Sequence, residues 1–382
     1  MVTEVTRHIK NATERELWAR AAGRCQFNGC NVLLYKSTVT QESVNLAQKA
    51  HIYSFSEKGP RGWGPFKSNL SGINDICNLM LMCHGCHQKI DADKLGERYS
   101  AALLVSWKIE HEQRIEIVSG IESDKKSHVV LYDANIGKEK TQIEYIECVR
   151  AMFPDRYPAH ERPEMLSMSS DLKDCSRGYW DAELSHLRKI YERRIAPLIE
   201  QNGCNHFSVF AIAPQPLLIQ LGALLTDKLS VETYQLHREP KCWRWLDEPS
   251  GFSFKINMPD NFDGTPVLLI SLSDNVDKSR ISTVLFGGTS IWEITVENPH
   301  NDFMQSKHQL SEFRKSIRQL MVNIKDKHGN DKPLHIFPVM PVSCAIELGR
   351  ARMPKADMPW IIYDQNYNTQ KFEKSIEIAS DM

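Results

Sequence analysis

The stretch CHGCHQKID, residues 83–91, places two cysteines, two histidines and an aspartate within nine positions. Upstream lie Cys25 and Cys30, another closely spaced pair. Cysteine thiolates are preferred zinc ligands, and four of them close a tetrahedral site that keeps no position open for chemistry. The spacing therefore predicts a structural zinc ion held by Cys25, Cys30, Cys83 and Cys86. Coincidentally buried cysteines without a metal are the alternative.

Three polar side chains near the cysteines are candidates for chemistry. His51 lies in the strand-like run KAHI, Asn78 precedes the apolar LMLM, and His87 follows the last cysteine. This order of histidine, asparagine and histidine, with the elements AHI, GPR, NL, CxxCH and ID, resembles the HNH nuclease family in its zinc-knuckle form. The resemblance covers about residues 13–115.

This resemblance implies a ββα-metal (HNH) nuclease domain that hydrolyses phosphodiester bonds with one Mg²⁺ or Mn²⁺ ion. It implies that His51 is the general base that deprotonates water, that Asn78 orients this base or the metal loop, and that His87 is a ligand of the catalytic ion. Asp91 lies four residues after His87 on the same helix face, so we expect it to complete the ion site. Many family members carry an acidic ligand where this chain has Ala50, so the ligand set departs from the family pattern.

The glycine-rich loop EKGPRGWGPF carries Arg61, with Lys58 and Lys67 close by. Arginine and lysine side chains commonly bind phosphate oxygens of nucleic acids. We therefore predict that Arg61 binds a DNA phosphate. The alternative is a solvated loop charge. His84, between the cysteines of the second pair, is expected to be exposed or to support the site from outside.

Short elements must hold these residues in place. A helix is expected over residues 13–22, because TERELWARAA begins with a threonine cap and stops at Gly23. Two strand-like runs and a helix beginning near Cys86 surround the cysteines. A long helix then closes the unit, and the polar SGIESDKKSH that follows is typical of a linker. We predict an HNH nuclease domain over 1–120, a linker and connecting segment over 121–164, and a second domain over 165–382.

Strands and helices alternate in the second half of the chain. HFSVFAIA predicts a buried strand, LLIQLGALLTDKL a helix and VETYQLH a strand, and PVLLISLS begins a similar series. Such alternation indicates parallel α/β layers, here in two related halves. Ligands of these sheets bind in the crevice at the carboxyl ends of the strands.

Three stretches of this half stand out: IAPQPLLIQLGALL, YQLHREPKCWRW and FPVMPVSCAIELGRARMPKADMPWIIYD. With them the chain resembles the SAVED domain, a fusion of two CARF-like (Rossmann-like) α/β units that binds cyclic oligonucleotides in bacterial antiphage (CBASS) systems. The likeness runs from about residue 165 to 382. It implies a cyclic dinucleotide as activating ligand, with guanine or adenine bases as in a cyclic GMP-AMP.

The candidate pocket residues combine flat rings, cations and strand-end polar groups. Purines stack on aromatic faces, and phosphates attract cations. Trp243 and Trp245 supply rings close to several basic residues, although an edge strand with buried tryptophans would have the same sequence. The candidates for cyclic-nucleotide binding are Gln215, Pro216, His237, Arg238, Lys241, Trp243, Trp245, Ser271, Ser273, Ser343 and Arg350.

Bulk properties limit the class of protein. The chain has 382 residues, 41% of them hydrophobic, and a net charge of -1. No apolar run approaches the roughly 18 residues of a membrane-spanning helix, and the start has no hydrophobic signal-peptide centre. We expect a protein of the bacterial cytoplasm without a membrane partner.

Together these features predict a cyclic-nucleotide-activated, metal-dependent endonuclease that degrades double-stranded DNA in antiphage defence. The family likeness further implies a homo-oligomer, a dimer that assembles into a tetramer or a higher state when ligand binds. An HNH restriction endonuclease whose second half recognises DNA sequence or modification is the alternative enzyme. A zinc-containing DNA-binding module without activity is the alternative outside enzymes.

Overall fold

A computed structural model describes residues 8–137, 142–168, 172–200, 205–249 and 251–379. The chain divides into two compact units, residues 1–121 and 122–382, and each is described by itself. Within the described residues, every helix is too short or too polar to cross a membrane.

The described part of the first unit contains two strands and three α-helices. In chain order they are α1 (Asn11–Ala21), β1 (Ala47–His51), β2 (Leu79–Cys83), α2 (His84–Ala92) and α3 (Ala101–Ser119). Three short 3₁₀ helices, Gly64–Ser68, Leu70–Asn74 and Ile76–Asn78, connect β1 to β2.

An antiparallel pair of strands forms the centre of this unit. β1 and β2 pair so that Ala47 lies opposite Cys83 and His51 opposite Leu79. The four apolar residues of β2 are all buried, and they pack with Leu17 of α1 and Leu104 of α3. Because both faces of β2 are covered, its sequence LMLM does not alternate with polar residues. The predicted ββα arrangement around the cysteines is confirmed.

The described residues of the second unit form two large sheets with helices around them, and one small two-stranded sheet. Its strands are β3 (Lys126–Asp133), β4 (Tyr157–Pro158), β5 (Glu164–Met165), β6 (His206–Ile212), β7 (Ser230–Thr233), β8 (His237–Arg238), β9 (Lys241–Cys242), β10 (Lys255–Asn257), β11 (Thr265–Ser271), β12 (Thr289–Thr295), β13 (Leu334–Val339), β14 (Trp360–Gln365) and β15 (Phe372–Ile378). Its helices are α4 (Tyr145–Met152), α5 (Tyr179–Arg194), α6 (Ala196–Glu200), α7 (Gln215–Leu225), α8 (Ser279–Ser282), α9 (Lys307–His328) and α10 (Val342–Ala351).

Both sheets are parallel at their centres. The first has the order β4-β3-β6-β7, with β5 also paired to β3, and all of these pairs are parallel. The second has the order β10-β12-β11-β13-β14-β15, in which only the edge strands β10 and β15 pair antiparallel. The predicted parallel α/β layers in two halves are confirmed.

The segment predicted as a linker differs from the structure. Residues 122–168 belong to the second unit, and β3 lies between β4 or β5 on one side and β6 on the other. Its residues Ser127–Tyr132 are buried. The polar residues before this strand favoured the prediction of a linker. The short apolar run next to them is a weaker signal for a strand than the charged residues are for a linker.

Helices α7 and α10 cross with their backbones in close contact. A Cβ atom on Gly222 would lie 2.0 Å from the carbonyl oxygen of Ile346, and one on Gly349 would lie 2.0 Å from that of Ile219. Backbone atoms cannot move aside as a flexible side chain can, so glycine at these two positions permits the crossing. The helices follow β6 and β13, one in each half, and thus join the two halves.

Gly222→Ala is expected to lower the free energy of unfolding of the second unit by about 3 kcal/mol, because overpacking against backbone forces the helices apart. Gly288→Ala is the control, since a Cβ there meets nothing within 4 Å, and its effect should stay within about 0.5 kcal/mol. Urea unfolding followed by tryptophan fluorescence measures both. Wild-type stability of Gly222→Ala would contradict this account of the crossing.

Candidate nuclease site and ligand pocket

The fold of the first unit brings the two cysteine pairs together. The four sulfur atoms of Cys25, Cys30, Cys83 and Cys86 all lie within 4.8 Å of one another, and those of Cys30 and Cys83 are 3.9 Å apart. A tetrahedral zinc ion with Zn–S bonds of about 2.3 Å separates its sulfur ligands by about 3.8 Å. The arrangement therefore fits a structural zinc ion.

Burial affects the ionisation of the thiols at this place. Burial raises the pKa of Cys25 to about 12, hydrogen bonds from the backbone amides of Cys83 and Phe27 oppose this shift, and the neighbouring Cys30 adds to it. A dication lowers thiol pKa values and converts such a cluster into thiolates. Four adjacent sulfurs, two of them buried, are the donor set that zinc prefers.

The purified protein is expected to contain about one zinc ion per chain, and Cys86→Ser should lose most of it because a three-thiolate site binds more weakly. Cys77→Ser is the matched control, because Cys77 is an exposed cysteine outside the cluster. Inductively coupled plasma mass spectrometry of dialysed protein measures the metal. Equal zinc in wild type and Cys86→Ser would contradict the site.

His51 stands at the end of β1, half-buried. Its Nε2 atom lies 2.8 Å from Oδ1 of Asn74. Burial lowers the pKa of His51, the bond to Asn74 opposes this, and a positive charge on His87 would lower it further. The ring is thus held in its neutral form near pH 7, which is the form that can accept a proton.

Asn78 is buried and acts on the backbone around His51. Its Oδ1 accepts a hydrogen bond from the amide of Tyr53 at 2.8 Å, and its Nδ2 donates to the carbonyl oxygens of Tyr53 at 3.0 Å and Ile73 at 2.8 Å. These three bonds hold the segment after His51 against the 3₁₀ helix that precedes Asn78. The predicted orienting role of Asn78 remains a prediction, and these contacts give it a physical basis.

His87 and Asp91 lie one turn apart on α2, with Nε2 and Oδ2 at 3.4 Å. They line the same cleft as His51, with a volume of about 440 Å³. Two ligands of one Mg²⁺ ion lie about 3 Å apart when each bond is about 2.1 Å, so the pair fits a shared cation. Among the described residues, the four cysteines are the one group of three or more such ligands.

Arg61 also lines this cleft, and its role as a phosphate ligand remains a prediction. Its guanidinium donates to three backbone carbonyl oxygens, those of Ile52 at 2.5 Å, Ile90 at 2.8 Å and His51 at 3.4 Å. The side chain thereby fastens the end of β1 to the C-terminal part of α2, which carries Asp91. The sequence of a glycine-rich loop does not indicate whether its arginine side chain points to solvent or binds backbone carbonyl groups. His84 is the exposed first residue of α2.

A cavity of about 550 Å³ lies in the second unit, at the carboxyl ends of its parallel strands. The residues that follow β3, β6, β7, β11, β13 and the end of β14 all contribute to its wall. Of the eleven predicted pocket residues, Gln215, Arg238 and Ser273 line this cavity. The position is the one that parallel sheets use for ligands.

Several other predicted pocket residues lie in the core instead. Trp243 is 5% exposed and packs edge-on against Phe210 at 5.3 Å. Pro216 is buried in the first turn of α7, and Ser271 is buried in β11. The alternative of buried tryptophans is thus correct for Trp243. A tryptophan among basic residues does not reveal whether its ring faces solvent.

The remaining predicted residues have structural partners or lie apart from the cavity. Arg350 donates to both carboxylate oxygens of the buried Glu347, at 2.8 and 3.0 Å, and Ser343 donates to Gln235 at 2.9 Å. The first contact lies within helix α10, and the second joins α10 to the segment after β7, 108 residues away in sequence. The residues that the fold leaves outside the cavity wall are His237, which is buried, Trp245, which is partly buried, and Lys241, which is exposed.

Sequence reasoning missed the acidic residues of the cavity. Asp174, Asp302 and Asp364 line it, and among the described residues Arg238 is the one lining cation. Burial raises the pKa of Asp364 to about 7, and the nearby Asp174 carboxylate adds to the shift. Asp364 stands at the carboxyl end of a strand that the sequence predicts, so the rule for parallel sheets could have found it.

Comparison with known proteins gives two family matches. A model described as SAVED, SMODS-associated and fused to various effectors sensor domain, matches residues 187–378. A model described as HNH endonuclease matches residues 25–96. No curated protein matches the chain.

Solved structures of SAVED/CARF-domain containing receptors are similar to this chain. The Cap4 receptor of Acinetobacter baumannii with the cyclic trinucleotide 2'3'3'-cAAA shares 12% identity with a TM-score of 0.43, over 78% of this chain and 66% of that chain. The Cap4 receptor of Moraxella osloensis shares 12% identity with a TM-score of 0.40, over 82% of this chain and 70% of that chain. The chain thus spans just under two thirds of the length of the Acinetobacter receptor.

Proposed function

Because the chain belongs to the SAVED sensor-domain family and carries an HNH endonuclease segment, we propose that it is a DNA endonuclease activated by a cyclic oligonucleotide. The observation that carries the proposal is the shared cleft of His51, His87 and Asp91. Its substrate is double-stranded DNA, and its role is that of a CBASS-type effector in antiphage defence.

Hydrolysis requires a base close to the attacked phosphate. His51 takes a proton from water, the water oxygen bonds to phosphorus, and the bond from phosphorus to the departing sugar oxygen breaks. That oxygen receives a proton from solvent. His87 and Asp91 would hold the Mg²⁺ or Mn²⁺ ion, which supplies charge stabilisation at the phosphorus oxygens when bound. Arg61 and Asn78 keep the walls of the cleft at a constant distance.

The ligand of the second unit is proposed to be a cyclic dinucleotide, such as a cyclic GMP-AMP. The cavity of about 550 Å³ is within the range of small-molecule sites. Arg238 would lie near the phosphates, and the acidic residues would accept hydrogen bonds from base N–H groups. Activation by assembly into a tetramer or higher state follows from the family likeness alone.

Plasmid DNA on a gel tests the function, with Mg²⁺ or Mn²⁺ and a panel of cyclic di- and trinucleotides beside a lane without nucleotide. Degradation only in particular nucleotide lanes is the expected result. Discrete fragments in every lane would indicate that the second unit recognises DNA and does not act as a nucleotide sensor. Uncut DNA in every lane would contradict the nuclease.

His51→Ala is expected to lower the cleavage rate by about 10²- to 10⁴-fold, the usual contribution of a general base, while DNA binding persists. His84→Ala is the matched control, because His84 is exposed and does not line the cleft. Rates come from gel densitometry and binding from fluorescence anisotropy with EDTA present. An active His51→Ala variant would remove His51 from the mechanism.

Binding of an anionic cyclic dinucleotide is expected to weaken about fivefold between pH 6 and pH 8. The raised pKa of Asp364, about 7, means that the group is neutral at the lower pH and negative at the higher one. Repulsion of about 1 kcal/mol between two unit charges in water corresponds to this factor. Isothermal titration calorimetry measures it.

Asp364→Asn should remove the pH dependence, because an amide does not titrate. Asp331→Asn, an exposed aspartate outside the cavity, should keep it. A pH dependence that survives in Asp364→Asn would assign the effect to another group.

A further inference from the structure

We propose that Asn74 is a positioning residue for His51: it holds the ring as the tautomer with hydrogen on Nε2 and leaves Nδ1 as the nitrogen that takes the proton from water. The inference rests on the proposed nuclease function. No family match or motif in the sequence assigned a role to Asn74.

The hydrogen-bond partners of Asn74 determine which way its amide points. Its Oδ1 lies 2.8 Å from Nε2 of His51, and its Nδ2 lies 3.4 Å from the carbonyl oxygen of His8. A carbonyl oxygen can only accept, so the NH₂ group must face His8. Turning the amide over would place two acceptors against each other. The atom facing His51 is therefore an oxygen, and Nε2 must donate to it.

The second ring nitrogen is then the one with a free lone pair. A neutral imidazole carries one hydrogen, so a protonated Nε2 leaves Nδ1 unprotonated. Within the described part of the chain, the contact with Asn74 is the one hydrogen bond of the His51 ring. The side chain of His51 also lines the cleft shared with His87 and Asp91, where the attacked phosphate would lie.

Asn74 is itself held in place by Asn78, the asparagine of the HNH pattern. It is the last residue of the 3₁₀ helix Leu70–Asn74, and Nδ2 of Asn78 donates to the preceding carbonyl oxygen, that of Ile73, at 2.8 Å. The same amide binds both backbone groups of Tyr53, two residues after His51. Asn78 thus acts on the backbone, and Asn74 acts on the ring.

Proton transfer strengthens the contact. When Nδ1 accepts a proton from water, the ring becomes an imidazolium, and the bond from Nε2 to the amide oxygen becomes charge-assisted. The water oxygen bonds to phosphorus, and the departing sugar oxygen leaves and is protonated by solvent. Asn74 touches neither water nor phosphate in this step, so its effect is exerted through His51.

Two substitutions separate the contact with His51 from the contact with His8. Asn74→Ala removes both. Asn74→Asp keeps an acceptor for Nε2 of His51 but cannot donate to the carbonyl of His8. If Asn74 acts through His51, the aspartate variant should resemble wild type within about threefold in kcat, and the alanine variant should lose about tenfold or more, as expected for a lost hydrogen bond and a freely turning base. KM for DNA should stay unchanged in both.

Asn69→Ala is the control for general disturbance of the helix. Asn69 caps the same 3₁₀ helix by accepting from the amide of Ser71 at 3.1 Å and has no contact with His51. Its kcat should change less than about threefold, because an exposed cap contributes modestly to stability. Assays above neutral pH prevent the new carboxylate of Asn74→Asp from keeping His51 protonated.

Histidine ring ¹⁵N spectra of the full chain give a readout that needs no activating nucleotide. The spectrum of His51→Ala identifies the His51 signals by their absence. Wild type and Asn74→Asp should show His51 with hydrogen on Nε2, and Asn74→Ala should show a mixture of both tautomers.

The outcomes separate this inference from the nuclease function. Equal kcat of wild type and Asn74→Ala, or equal losses in Asn74→Ala and Asn74→Asp, would overturn the role of Asn74 while cleavage by wild type keeps the nuclease. A wild-type signal with hydrogen on Nδ1 would overturn it independently of activity. A protein that never cuts DNA would overturn the nuclease, and the role of Asn74 in catalysis with it.

Discussion

The buried side-chain amide of Asn78 accepts one hydrogen bond and donates two, and these three bonds hold the candidate nuclease site together. They join Tyr53, just after His51, to Ile73 and hence to the helix that ends at Asn74. A buried amide of this kind must satisfy its polar atoms, since each unsatisfied group costs about 1–3 kcal/mol. The hydrogen bonds that satisfy the buried Asn78 amide therefore also hold His51 in the cleft.

Other contacts support this arrangement from two sides. The guanidinium of Arg61 fastens the end of β1 to α2, so that His51 and Asp91 keep a constant separation. The cysteine cluster joins the loop after α1 to the junction of β2 and α2. Both contacts link segments that are distant in sequence, and neither needs a large hydrophobic core. A small unit gains rigidity in this way where burial alone provides little.

The second unit depends on a different constraint, the close crossing of α7 and α10 at Gly222 and Gly349. Each helix begins where a central strand ends, so the crossing also brings the carboxyl ends of β6 and β13 to one cavity. Nearby, the buried Glu347 binds Arg350 and Arg314 as well as Thr233. This network connects β7, α9 and α10. Outside this network, Arg238 is the cation that the described residues present in the cavity wall.

Features that depend on residue type and short spacing could be predicted before the fold was known. The paired cysteines, the order of His51, Asn78 and His87, and the alternation of strands and helices are all of this kind. The directions of three side chains became known from the packing of the fold: Arg61 turns toward carbonyl groups, Trp243 into the core, and Asp364 toward the cavity. The fold also placed Asn74 against His51, 23 residues away. Such contacts depend on how segments that are distant in sequence pack together. No local pattern of residues predicts this packing.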